Sequence, residues 1–99
     1  MNSPTFDANG YPSEETLGTI ALWQIADPVG WLEFVRDAWN HHYGRIRFTP
    51  DFDEFATGGW SGNESIISAM QENAVLWTML WESSHRGGKY VFRLPEEKK

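Results

Sequence analysis

The chain reads as an α+β domain: two amino-terminal helices, a β-hairpin, a long central helix and a final strand, with the strands forming a three-stranded mixed sheet. Three observations carry that reading. Apolar residues recur at helical spacing over 29–42 and again over 66–81. Polar and apolar residues alternate over 45–49 and over 89–94, as in strands with one buried face. Between these stretches a glycine-dense loop, Thr57-Gly-Gly-Trp-Ser-Gly-Asn-Glu64, launches the longest apolar segment.

The 99 residues suffice for one core with little to spare, and divide into an arm over 1–12, a single α+β domain over 13–94 and a charged tail over 95–99. Six Trp, six Phe and three Tyr enlarge that core, since each buried ring removes roughly 150–250 Å² from water. Cysteine is absent, which excludes disulfides, thiolate catalysis and sulfur-ligated metals and fits a reducing compartment. No signal peptide, lipidation motif or membrane span is read, so a cytoplasmic location is expected. A net charge of −6 argues against a general hold on nucleic-acid phosphates; it serves a basic partner or plain solubility.

Taken in order, the arm has only Phe6 and Tyr11 to anchor it, so it is loose or docks by its rings. Ser13 caps the first helix, whose opening turn carries Glu14 and Glu15, and Leu17, Ile20, Ala21 and Ile25 form its apolar face. Gly18 weakens it. Asp27 and Pro28 start the second helix, with Trp31, Leu32, Phe34, Val35, Ala38 and Trp39 gathered on one side. Gly44 suits the position just past its end. Pro50 and Asp51 turn the chain between the strands at 45–49 and 52–57.

The central helix puts Ile66, Ile67, Met70, Ala74, Leu76, Trp77, Leu80 and Trp81 on one arc. Asn73 intrudes on that arc and is expected to bond to a neighbouring element, because an unpartnered buried amide costs about 1–3 kcal/mol. Val75 and Met79 form a small apolar stripe on the polar side. Gly87 and Gly88 end the segment before the last strand. The strand at 52–57, the helix and the last strand form a β-α-β unit, which makes those two strands parallel.

Two regions are candidate binding surfaces. Ser61 and Glu64 stand in the spacing of a capping box, and Gly58, Gly59 and Gly62 permit close backbone approach. Amides around Gly58, Gly59, Trp60, Ser61, Gly62 and Asn63 are thus placed to converge on an anion or carbonyl at a helix start. The plainer reading is a tight strand-to-helix turn with Trp60 folded over the core as a lid. The second region is the outer sheet face, where alternation collects Arg45, Arg47, Lys89 and Arg93 opposite Ile46, Phe48, Tyr90, Phe92 and Leu94. Such a face suits a phosphate-bearing ligand, an acidic protein surface or single-stranded RNA beside Tyr43; it also suits an ordinary solvated face, with Asp53 and Glu54 as cross-strand acids.

Catalysis and metal binding find no support at this level. Ser61, Ser65, Ser68, Ser83 and Ser84 lack a histidine and carboxylate at any motif spacing. His41, His42 and His85 are too scattered to nominate a general base or a ligand set. No cofactor and no metal are expected.

The Thr57-Gly-Gly-Trp-Ser-Gly-Asn-Glu-Ser-Ile-Ile67 loop, the Arg86-Gly-Gly-Lys-Tyr-Val-Phe92 strand start and Tyr11-Pro-Ser-Glu-Glu-Thr-Leu17 together resemble a group of small uncharacterised proteins of tailed phages and prophages. The likeness spans 11–94. It implies an intracellular phage accessory protein, a class that often acts by binding and inhibiting a host complex. The expectation is therefore non-enzymatic binding to a host or phage macromolecule, most plausibly a protein. The alternative is capture of a small anion or nucleotide at the glycine loop.

Overall fold

In the computed structural model, which describes residues 3–95, the first helix starts where Ser13 predicts it. Helix α1, Glu14–Ala21, is capped by Ser13 Oγ, which accepts the Thr16 amide at 3.1 Å. The arm ahead of it is tied down. The Thr5 amide donates to Thr16 Oγ1 at 2.8 Å and the Ser13 amide to Thr5 O at 3.0 Å. Ile25, assigned to the apolar face of α1, instead lies exposed beyond its end.

Helix α2, Pro28–Ala38, begins at Asp27, whose Oδ1 accepts the Gly30 amide at 3.0 Å. It is shorter than the periodicity over 29–42 predicts, and Asn40 is the cause. The Asn40 side chain accepts the His42 and Tyr43 amides at 2.8 and 3.0 Å, while its own amide donates to Asn63 Oδ1 at 2.9 Å. A side chain that offers the backbone these bonds competes with the helix and turns the chain.

The long central helix is in fact two helices, α3 (Ser61–Glu72) and α4 (Ala74–Leu80). Asn73 divides them. Its Nδ2 donates to Ile20 O at 3.3 Å and Trp23 O at 3.1 Å, carbonyls at and just past the end of α1, and its Oδ1 accepts the Leu76 amide at 3.4 Å as the cap of α4. The bond to a neighbouring element is as expected; the break that it requires is not.

Among the described residues the sheet has four strands, not three, and every pairing is antiparallel. Strands β1 (Arg45–Phe48) and β2 (Phe52–Ala56) form one hairpin, β3 (Trp81–His85) and β4 (Lys89–Arg93) the other, and the order is β1-β2-β4-β3. The additional strand β3 uses residues assigned to the end of the central helix. It explains the reversed direction of β4: the chain crosses over from β2 to β3 and then turns back, so β4 runs antiparallel to β2 and lies between the two. Strand β1 is at an edge. Gly87 and Gly88, at φ 88° and 82°, make the tight turn into β4.

All four helices contribute to a core on one face of the sheet. Ile20, Trp31, Val35, Ile66, Met70 and Leu76 pack there with Phe55 of β2 and Phe92 of β4. Trp31 is fully buried, meets Phe92 edge-on at 6.5 Å, and donates its indole N–H to Ile20 O at 2.9 Å, which removes the cost of burying that donor. Val75 and Met79 stay exposed. The tail expected over 95–99 and the first residues of the arm lie, apart from Pro95 and 3–12, outside the described residues.

Candidate binding surface at one end of the sheet

The two regions singled out in the sequence meet at the end of the sheet where β1 begins, β2 ends and β4 begins. Register sets the outer face. Arg45 is opposite Ala56, Ala56 opposite Lys89 and Lys89 opposite His85, so one row crosses all four strands; Arg47, Glu54, Val91 and Ser83 make the next. Arg45, Arg47, Glu54, Ala56 and Lys89 line a depression of about 270 Å³ with alanine at its floor. Arg36 and Arg93 each form an ion pair; among the described residues Arg45, Arg47 and Lys89 form none.

Arg93 does not join them. It is opposite Phe52, two rows from Lys89, with its guanidinium 4.9 Å from the Phe52 ring centre and its Nε donating to Glu82 at 3.2 Å. Asp53, expected among the outer acids, faces inward and is fully buried. One of its oxygens, Oδ2, accepts both Nε and Nη2 of Arg36 at 3.0 and 2.7 Å, while Oδ1 has no partner among the described residues. Burial outweighs the Arg36 charge and raises the Asp53 carboxyl above its ordinary value of 3.8.

The glycine loop is a turn that bonds the Thr57, Gly59 and Trp60 amides within the molecule. Gly58 and Gly59 adopt φ 66° and 76°, and a Cβ on Gly58 would collide with the Tyr43 carbonyl. The Thr57 amide donates to Gly88 O, the Gly59 amide to Thr57 Oγ1 and the Trp60 amide to Thr57 O, at 3.0, 3.2 and 3.2 Å. The capping box does not form. Trp60 occupies the cap position of α3 without a side-chain bond, and Ser61, already helical, donates its hydroxyl to Tyr11 Oη at 3.2 Å. Asn63 is fully buried, donating to Asn40 O and Thr57 O besides accepting the Asn40 amide.

Trp60 covers the helix start. Its ring lies so close over Gly62 that a Cβ there would strike it, and it is sandwiched between Tyr43, stacked at 5.2 Å, and Tyr11 at 4.8 Å. Tyr43 remains 54 % exposed and precedes Gly44 and Arg45, so an aromatic ledge adjoins the cationic row. The partners of Trp60 were not legible, since Tyr11 is about fifty positions away in a segment with no periodicity.

Ser83 Oγ and His85 Nε2 lie 2.9 Å apart on the outer face of β3. Residues two apart share a face only in a strand, and reading 83–88 as the end of the central helix hid the pair. Both are exposed or half-exposed, and no carboxylate bonds the other ring nitrogen among the described residues. Also among the described residues, no group of three or more His, Asp or Glu stands together as a metal site, and no helix is long and apolar enough to cross a membrane. A broader, shallow depression of about 550 Å³ lies elsewhere, between the end of α1 and the start of α2, lined by Leu22 and Trp23 with Glu15 and Asp27. Compared with known proteins, the chain matches no family model, no curated protein and no solved structure.

Proposed function

We propose that the chain is a non-enzymatic binding protein, a phage accessory protein of the host cytoplasm, whose outer sheet face engages an acidic surface on a host or phage macromolecular complex. The observation that carries this reading is the set Arg45, Arg47 and Lys89, without ion pairs among the described residues, around one depression on the sheet face opposite the aromatic core. On a chain of net charge −6, three such cations side by side favour an acidic partner and oppose a basic one. A folded protein surface suits them better than nucleic acid, whose phosphates the rest of the chain repels.

Affinity capture from infected-cell lysate, run with the wild type and with the R45E/R47E/K89E variant, tests the assignment. A partner identified with the wild type and lost with the variant, with capture weakening as salt rises, is the expected result. A partner retained equally by both chains removes the face from consideration. The alternative, a small anion at the glycine loop, has Trp60 over the helix start and Asn63 spent inside the molecule against it. No nucleotide should therefore raise Tm, whereas a true ligand at about a hundred times its Kd adds about 2.7 kcal/mol.

A further inference from the structure

Strand β1 is an edge, and hydrogen-bond parity fixes which of its groups face the open side. The Thr57 amide donates to Gly88 O, so the odd-numbered residues of β2 bond to β4 and the even-numbered ones, Phe52, Glu54 and Ala56, bond to β1. The Thr49 amide donating to Phe52 O agrees. Arg45 and Arg47, opposite Ala56 and Glu54, therefore spend their backbone groups on β2. Ile46 and Phe48 aim theirs outward, where among the described residues no strand pairs with them.

From this we infer that the open edge of β1 takes up an extended acidic segment of a partner protein as a fifth strand. This rests on the binding face proposed above and specifies its partner. The pleat sets the pattern of such a segment: side chains beside Arg45 and Arg47 are carboxylates, and those beside Ile46 and Phe48 are apolar. Phe48 is 56 % exposed with the Arg36 guanidinium 4.4 Å from its ring centre, so it offers apolar surface that a neighbouring strand would cover. The two edges of the sheet differ in how well they accept a strand. Strand β3 is bulged between Trp81 and Ser83, with Glu82 held by Arg93, a device that blunts an edge; β1 is regular along its length. A second copy is a poor occupant, because β1 against β1 sets arginine beside arginine.

Titration of the isotope-labelled full chain with a short synthetic peptide of alternating glutamate and valine tests this. The amide signals of Ile46 and Phe48 should shift and become protected from exchange. The R45E/R47E variant, shown folded by its circular dichroism and Tm, should bind about tenfold more weakly or worse, and a lysine–valine peptide should leave the spectrum unchanged. Shifts confined to Ala56, Lys89 and Val91, with Ile46 and Phe48 unmoved, would overturn strand addition while keeping the basic face. Loss of all response, with an all-glutamate peptide silent as well, would remove both. Protection of Ile46 and Phe48 that grows with protein concentration in the absence of peptide would give the edge to a second copy and overturn the inference.

Discussion

Asn63 and Asp53 are both fully buried polar side chains, and they differ in how far the fold satisfies them. Asn63 donates twice and accepts once, clamping the end of α2 and the glycine loop to the first turn of α3. Asn63→Ala leaves several buried groups without partners and should cost about 3 kcal/mol, measured as a lower urea midpoint with an unchanged slope. Asp53 is only half satisfied, and its carboxyl is raised from 3.8 by burial. A raised carboxyl means that the folded state holds its proton longer than the unfolded chain does. The Asp53 contribution is therefore most favourable below about pH 3.8 and is lost as pH rises through the folded value. The stability of the wild type relative to Asp53→Asn should fall over that window, and equal slopes in denaturation series at several pH values would refute the assignment. Asn73 was legible because an amide on an apolar arc demands a partner. Asp53 was not: Phe52 and Phe55 are three apart and cannot share a strand face, so alternation alone does not say which of Asp53 and Glu54 turns inward.

Helix starts marked by Ser13 and by Asp27 with Pro28 were legible because caps act over three or four residues and need no tertiary information. The break at Asn73 and the change to strand at Trp81 were hidden for a physical reason. Trp77, Leu80 and Trp81 keep helical spacing through the point where the helix ends, so periodicity marks no boundary there. What ends it is the pairing of Trp81 with Phe92, a contact across the sheet that local spacing does not reveal. Gly18 in α1 is the opposite case, a local weakness that the fold does not exploit for contact. An added Cβ meets nothing within 4 Å, so Gly18→Ala should stabilise by about 0.5–1 kcal/mol. Thermal unfolding would show it as a higher Tm; no gain would mean that the groove beside α1 is filled in solution.

Core and cationic surface occupy opposite faces of one sheet, so the two should respond to mutation independently. R45E/R47E/K89E removes side chains that line a surface depression and are not members of the aromatic core, and it should shift unfolding free energy by no more than about 1 kcal/mol. Trp31→Ala, by contrast, empties the centre and should cost about 3–5 kcal/mol. Comparing denaturation curves of the two variants checks the separation. The α+β class was legible from helical spacing and alternation together, and the shared outward side of Arg45, Arg47 and Lys89 from alternation. Strand number, strand order and the Tyr11–Trp60–Tyr43 sandwich were not, because each depends on which distant segments meet.

Of the four described strands β4 is the last to be synthesised, yet it lies between two made before it. While a ribosome is still adding 89–93, β2 and β3 have no neighbour to join them, and Phe55 and Trp31 lack the Phe92 ring that each packs against. The emerging polypeptide should thus remain vulnerable to proteases until 89–93 are free, then close in one step. A chain stopped after Gly88 should never acquire that resistance.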